Sequence, residues 1–173
     1  MFENIDIDIN SLPRVDTKSF ISLDENYRTV LILKSLILSV VLIAVFILYY
    51  QLMAEKYPLY ISVILFVLML ILVLGNIIFA YLGFKRKKYK LRLFDIIYKT
   101  GLLWRSETSI PFVRVQHSEV IQDPIERIFK LAKLKLYTAG GHSSDLNVPG
   151  LSLHKAEQLK EFVTKRIQEE EEE

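Results

Sequence analysis

Two long stretches without a charged residue constrain this chain more than any other feature of its sequence. Residues 35–54 and 57–84 contain no Asp, Glu, Lys or Arg. About 20 helical residues, at about 1.5 Å each, cross the roughly 30 Å of bilayer hydrocarbon. Both stretches reach that length, and a core helix of a soluble protein rarely stays uncharged for so long. We therefore predict a transmembrane helical hairpin at residues 30–84, with helices at about 30–54 and 58–84.

The basic residues near the helix ends predict the orientation of this hairpin. A short turn, Glu55-Lys56-Tyr57-Pro58, makes the helices antiparallel neighbours and leaves both termini on one side. Cations close to helix ends favour the cytoplasm. The turn offers only Lys56, whereas six cations closely follow the second helix: Lys85, Arg86, Lys87, Lys88, Lys90 and Arg92. The first stretch lacks the basic leader of a cleaved signal peptide. We expect a multi-pass plasma-membrane protein with both termini in the cytoplasm.

Charge divides the remaining sequence into an acidic arm, a basic domain and an acidic tail. We assign residues 1–29 to a cytoplasmic arm, residues 85–168 to a soluble cytoplasmic domain, and residues 169–173 to a disordered tail. The domain holds 17 Lys and Arg against 8 Asp and Glu, so the net charge of +2 hides a strongly basic region. The chain has no cysteine, which excludes disulfides, cysteine-ligated zinc and thiol catalysis.

The domain sequence begins with patterns typical of β-strands. Alternation at 89–93 and the run 102–105 predict a hairpin that turns near Lys99-Thr100-Gly101. We interpret Trp104 as a core aromatic rather than a binding platform. Pro111 should interrupt the sheet, because proline donates no ladder hydrogen bond. Further strands are expected at 113–117, with Val120 and Ile121 as an extension, and at 134–138 and 145–148.

Two helices complete the predicted domain. Asp123 as N-cap and Pro124 at the first helical position predict a short helix through Phe129. Ser152 is the expected N-cap of a last helix, which carries its apolar residues on one face. Strands followed by one amphipathic helix predict an α+β domain, in which a small bent antiparallel sheet or barrel is capped by the C-terminal helix.

Several blocks of this region resemble a known family. Residues 110–117 resemble the IP-x-x-R-[IV]-Q signature of a bacterial pleckstrin-homology-like (PH-like, type 2) family of YdbS-like membrane proteins. Residues 122–132 resemble its Q-G-P-[LI]-x-R-x-F-G-L-A turn, and the blocks at 134–140 and 149–151 follow in order. Asp123 and Lys130 stand where that family usually has glycine. The resemblance implies a bent antiparallel barrel capped by a helix, and it implies no shared catalytic chemistry.

The resemblance also carries six motif residues over to this sequence: Pro111, Arg114, Gln116, Pro124, Arg127 and Gly140. For Arg114, Gln116 and Arg127 we favour a structural role over ligand binding. As polar groups in or beside apolar strands, they are expected to tie the short helix to the sheet by hydrogen bonds. Arg127 could equally pair with Asp123 or Glu126.

The cations from Lys85 to Arg92 are the best candidate for a functional surface. Each cation near an anionic leaflet contributes about 1 kcal/mol, so this cluster would hold the domain close to the bilayer. Setting topology would explain the same cations, and both roles are compatible. Nucleic-acid binding is disfavoured, because lipid competes for the charge.

We expect no catalytic, cofactor or metal site, and no enzymatic activity. His117, His142 and His154 lack a second ligand at a metal-binding spacing. Ser143 or Ser144 with His142 and Asp145 does not form a triad, because neighbours on one loop do not easily adopt its geometry. Relatives resemble membrane scaffolds that are often paired with a larger protein carrying several such domains. We therefore expect a scaffold that binds such a partner or itself, with a sensor of anionic lipid head groups as the alternative.

Overall fold

The structure is a computed structural model that describes residues 20–53, 55–139 and 146–171. A 3₁₀ turn at Phe112–Arg114 separates the fourth and fifth strands. The elements in chain order are β1 (Ile21–Ser22), α1 (Asn26–Met53), α2 (Leu59–Arg86), β2 (Lys88–Leu91), β3 (Asp95–Thr100), β4 (Ser106–Pro111), β5 (Val115–Ile121), α3 (Pro124–Ile128), β6 (Leu131–Thr138), β7 (Leu146–Ser152) and α4 (Leu153–Glu171).

Helices α1 and α2 form an antiparallel pair, as predicted, although both bounds differ slightly from the expected ones. Each has 28 residues and is long and apolar enough to cross a membrane. Most of their large apolar side chains are exposed. Asn76 Nδ2 donates to the carbonyl oxygen of Ser35 at 3.0 Å, and Ser35, Ser39 and Ser62 are buried. Small side chains and polar contacts of this kind typically join helices in lipid.

The strands form two antiparallel sheets in the orders β1-β2-β3-β4 and β5-β6-β7. Helix α4 packs against β5, β6, β7 and the 3₁₀ turn. Ala156 and Val163 on this helix are fully buried, and Phe162 meets Phe112 edge to face with ring centroids 5.9 Å apart. The predicted fold class, a helical hairpin followed by a PH-like antiparallel domain capped by a C-terminal helix, is therefore confirmed.

The segment before the helix pair contributes to the domain core, which the sequence analysis did not predict. β1 pairs with β2, where Ile21 lies opposite Tyr89, and the backbone N–H of Asp24 donates to the carbonyl of Gly150 at 2.9 Å. Leu23, Tyr27 and Val30 are all buried in the same hydrophobic cluster as the strands. The domain thus includes residues from the segments assigned to the acidic arm and the first helix. Residues 1–19 of that arm lie outside the described residues.

The first predicted hairpin is wrong in its register. The chain turns at residues 92–94, where the Arg92 N–H donates to the Asp95 carbonyl, and β3 runs through the expected turn at Lys99 and Thr100. Ile96, Ile97 and Tyr98 are buried in succession, so this strand is covered on both faces and shows no alternation. Residues 102–105 form a loop instead of a strand, and Trp104 is 86% exposed rather than in the core.

Most of the later elements agree with the sequence analysis. Asp123 is the N-cap of α3, with Pro124 first in the helix, and the Asp123 N–H donates to Glu126 Oε2 at 3.4 Å. The Lys155 N–H donates to Ser152 Oγ at 3.4 Å, as expected of an N-cap. Helix α3 ends at Ile128, and α4 extends to Glu171, so helix enters the tail that we expected to be disordered.

Candidate membrane-proximal site

The cations at the end of α2 lie beside the sheet formed by β1 to β4. Lys85 and Arg86 lie in the last helical turn and are exposed. Lys87 is the C-cap and its N–H donates to the carbonyl of Phe84 at 3.1 Å. β2 begins directly at Lys88, so its alternation sends Lys88 outwards and Tyr89 into the core. Helix end and strand start together fix where each cation points.

The six cations of the predicted cluster have different surroundings. Lys85, Arg86 and Lys88 line a common groove. Lys87 is half-buried with Nζ 5.4 Å from the centroid of the Tyr27 ring, and burial together with the positive charge of Lys34 lowers its pKa. Lys90 lies over the ring of Phe20 at 5.8 Å. Arg92 is at the far end of β2, 3.7 Å from Asp95.

Two cations that the sequence analysis did not select complete the groove. Lys99 lies near the end of β3 and Arg105 lies at the end of the β3–β4 loop, and the register of β2 on β3 places Lys99 opposite Lys88. Lys99 Nζ is 3.0 Å from Glu107 Oε2, the one carboxylate among the described residues that line this groove. We call Lys85, Arg86, Lys88, Lys99 and Arg105 the basic groove. In the sequence, the signal that could have identified Lys99 and Arg105 was a glycine turn between these two cations, with apolar residues at its tip.

The β3–β4 loop beside the basic groove carries two exposed apolar side chains. Leu103 is 68% exposed and Trp104 is 86% exposed. The chain reverses direction at Gly101, which has φ +103°. This position requires glycine, because a side chain there would overlap the backbone carbonyl of Trp104. We call Leu103 and Trp104 the loop tip. Gly101 and Arg105, at the two ends of this loop, line the same groove as Lys85 and Arg86 of the last turn of α2. In that turn Lys85 Nζ lies 5.2 Å from the ring centroid of Tyr81.

A second polar cluster connects the helix pair to the domain. Lys34 of α1 donates to Asp123 Oδ2 at 3.2 Å and to Glu126 Oε1 at 3.1 Å. Lys133 Nζ lies 2.8 Å from Asp123 Oδ1. The hydrogen bonds from Lys133 and Lys34 lower the pKa of Asp123 despite the opposing effect of its burial. We call Lys34, Asp123, Glu126 and Lys133 the junction cluster. Glu126 is only 1% exposed, and Lys34 is the cation that pairs with its buried carboxylate.

The six motif residues occupy different places in the domain. Pro111 ends β4, Pro124 begins α3, and Gly140 lies outside the described residues. Arg114 and Gln116 are exposed beside a groove with Thr138 and Ile167, and the link from the sheet to the α3 turn comes from Gln122, whose Nε2 donates to the Leu131 carbonyl at 2.8 Å.

Arg127 does not take the partners that its sequence neighbours suggest. Asp123 and Glu126 pair with lysines instead, and Arg127 is exposed in a groove between α3 and α4. This groove also contains Gln122, Glu157 and Lys160. At the start of α3, Asp123 and Glu126 face α1 and β6, where they pair with Lys34 and Lys133. Arg127 faces α4 instead.

The described histidines have ordinary surroundings. The His117 ring stacks on Tyr137 at 4.2 Å between centroids, and the Tyr137 hydroxyl donates to Glu119 at 3.0 Å. His154 is exposed in the first turn of α4. Among the residues that the structure describes, no three His, Asp or Glu side chains are grouped as metal ligands would be. His142, Ser143, Ser144 and Asp145 lie outside the described residues.

Comparison with known proteins agrees with this architecture. The family described as the bacterial PH domain matches residues 28–167. The chain belongs to the bacterial PH domain family. The match begins inside α1 and ends near the end of α4, so it takes in the helix pair together with the sheets.

A curated relative places this bacterial PH domain protein among membrane proteins. The chain is 27% identical over 78 residues to the transmembrane protein YdbS of Bacillus subtilis (strain 168). That alignment covers 45% of this chain and 47% of the relative, so the chain matches about half the length of YdbS. No solved structure matches the chain. With the two apolar helices, these similarities identify a membrane protein that carries a bacterial PH domain.

Proposed function

We propose that this protein is a non-catalytic membrane scaffold, whose bacterial PH domain binds another membrane protein at the cytoplasmic face. The partner class is a larger protein carrying several PH-like domains, or a second copy of this chain. The observation that carries the proposal is an exposed apolar surface on a domain that is fixed to its membrane helices.

The exposed surface lies at the end of the first sheet that is farthest from α2. Leu93, Phe94 and Val113 are 53%, 64% and 70% exposed. The Phe112 N–H donates to the Phe94 carbonyl at 2.9 Å, which brings Val113 next to the β2–β3 turn. We call Leu93, Phe94 and Val113 the apolar end patch. Exposed apolar groups rimmed by polar residues are typical of protein-binding surfaces.

Rigid attachment gives this patch a fixed position relative to the membrane helices. The junction cluster bonds α1 to α3 and β6, and Tyr27 of α1 is buried against Gly150 of β7. A partner anchored in the same membrane would therefore meet the patch in one orientation, which lowers the entropic cost of assembly. Contacts between helix pairs would add to the association.

Purification from native membranes in mild detergent, followed by mass spectrometry, tests the scaffold. We expect a stoichiometric membrane partner or a homo-oligomer with the wild-type chain. The variant Phe94→Ser/Val113→Ser should lose it, because the patch loses its apolar surface. The matched control Leu103→Ser/Trp104→Ser makes the same kind of change at the loop tip and should retain the partner.

Two results would contradict the scaffold. One is a wild-type chain that elutes as a monomer with no retained protein. The other is a Phe94→Ser/Val113→Ser variant that keeps its partner at the wild-type ratio. The thermal transition of each variant, followed by circular dichroism in detergent, shows whether loss of the partner follows from loss of folding.

A further inference from the structure

The β3–β4 loop and the end of α2 together form a surface with the two chemical properties that an anionic lipid requires. The basic groove gathers five cations around one carboxylate, and Lys85, Arg86, Lys88 and Arg105 are all exposed. The loop tip adds Leu103 and Trp104, which are more than two-thirds exposed. Cations suit a phosphate head group, and the apolar tip suits the boundary between head groups and acyl chains.

The position of this surface argues for a lipid of the same bilayer. α2 runs apolar as far as Phe84, and Ile78, Phe79 and Leu82 near its end are still exposed. A helix of 28 residues is about 42 Å long, which exceeds the roughly 30 Å of hydrocarbon. The last turns of α2 therefore reach the interface, and the groove lies beside them.

The type of side chain at the loop tip supports the same depth. Tryptophan and tyrosine concentrate where the membrane meets water, because each ring has an apolar body and a polar end. Tyr81 of α2 is 41% exposed near Lys85, and Trp104 is in the loop that borders that turn. The two aromatic residues belong to different elements, the last turns of α2 and the β3–β4 loop, and these two elements meet at the basic groove.

We propose that the β3–β4 loop inserts Leu103 and Trp104 into the membrane interface, and that the basic groove beside it binds the head group of an anionic phospholipid. The groove then differs from the basic run 85–92 that the sequence presents, because it excludes Lys87, Lys90 and Arg92 and requires Lys99 and Arg105. The inference does not depend on the protein partner proposed above.

Trp104 provides a direct test, because the chain contains one tryptophan. The full chain is reconstituted in nanodiscs of phosphatidylcholine containing increasing fractions of phosphatidylglycerol. We expect the emission to shift to shorter wavelength as phosphatidylglycerol increases. Quenching by brominated acyl chains should rise over the same range, and quenching by acrylamide should fall.

A charge-matched pair of variants isolates the groove. Lys88→Gln/Arg105→Gln removes two of its cations and should weaken the apparent affinity for phosphatidylglycerol about thirtyfold. The control Lys155→Gln/Lys160→Gln removes two exposed cations from α4, away from the groove, and should leave that affinity unchanged. Phosphatidylserine in place of phosphatidylglycerol shows whether the groove requires one head group.

Three results would overturn the proposal. Emission typical of water, with full acrylamide quenching in every lipid, would show that the loop stays out of the membrane. Equal bromolipid quenching with and without anionic lipid would show that insertion of the loop does not depend on an anionic head group, which contradicts the head-group site. An equal loss of affinity for phosphatidylglycerol in both double variants would show that net charge alone, and not the groove, determines binding. Each of these results leaves the pull-down of a protein partner unaffected, so the two proposals fail separately.

Discussion

The ring of Tyr27 occupies the space that a side chain at Gly150 would need. Gly150 has φ +64°, and a β-carbon built there would overlap the ring carbons of Tyr27. Tyr27 belongs to the first turns of α1, and Gly150 belongs to β7. This contact joins the helix pair to the second sheet, and it requires glycine for both space and backbone conformation.

Gly150→Ala should therefore destabilise the protein by about 2–4 kcal/mol, because overpacking and left-handed strain add together. The measurement is the thermal or denaturant transition of the detergent-solubilised chain. Gly83→Ala in α2 is the matched control, since a β-carbon there meets nothing within 4 Å. Equal stability of the two variants would show that Tyr27 moves aside without cost.

Lys34→Met should cost about 2–3 kcal/mol, because it leaves the buried Glu126 carboxylate without its cation. Glu126 is 1% exposed, and Lys34 Nζ is 3.1 Å from its Oε1. Lys34→Met/Glu126→Gln should recover part of the loss, since no charge then stays buried. A double-mutant cycle on unfolding free energies measures the coupling. Strictly additive losses would show that the pair is not coupled.

Acid should loosen the junction cluster through Asp123. Its pKa is lowered in the folded chain by hydrogen bonds from Lys133 and Lys34. The stabilisation is therefore complete above the ordinary aspartate pKa of about 3.9 and is lost as pH falls through the lower folded value. Hydrogen exchange of α3 amides should rise over this range. Asp123→Asn should show a flatter pH profile, and an identical profile would contradict the assignment.

Lys130→Gly should stabilise the protein by about 1 kcal/mol. Lys130 has φ +55° and is the one non-glycine residue with positive φ among the described residues. Glycine adopts this conformation without the steric cost that a β-carbon brings, although it loses more entropy on folding. Lys130→Ala keeps the β-carbon and serves as the control, with no gain in melting temperature expected. A lower melting temperature for Lys130→Gly would show that the positive φ of Lys130 does not strain the folded chain.

Both termini should lie in the cytoplasm, and the absence of cysteine makes this simple to measure. Lys56→Cys places one thiol in the turn between α1 and α2, and Lys165→Cys places one in α4. With a membrane-impermeant maleimide, intact cells should label only the first variant, because cations near helix ends favour the cytoplasm. Labelling of Lys165→Cys in intact cells would reverse the orientation.

Local signals in the sequence were sufficient for the helices. The uncharged runs predict α1 and α2, and Asp123-Pro124 and Ser152 mark the starts of α3 and α4 within a residue. Lys130 is informative in the same way, since the family usually has glycine there and the structure has a left-handed backbone. These features depend on neighbours within a few residues, which is why sequence patterns report them.

Features that depend on distant neighbours were missed. β3 is buried on both faces, so Ile96 and Ile97 show no alternation, and the hairpin was displaced by one strand. The basic groove exists only because that hairpin brings Lys99 opposite Lys88. Tyr27 shows no local sign of its contact with Gly150, since more than 100 residues separate them. The sequence therefore predicted only part of the candidate site, namely Lys85, Arg86 and Lys88 at the end of α2 and the start of β2.

The burial of Leu23 and Tyr27 in the domain core imposes an order on biogenesis. About 120 residues must be synthesised after Tyr27 before Gly150 exists, which at 5–20 residues per second takes roughly 6–25 seconds. During that interval both apolar helices leave the ribosome while their N-terminal flank still lacks its binding partners. Completion of the fold must then wait for the translocon to release the hairpin with its two ends on the same side. A chain in which only one of the two helices crosses the membrane would leave Tyr27 and Gly150 on opposite sides and would be unable to close its domain. Folding of the domain therefore doubles as a check that both helices have been inserted.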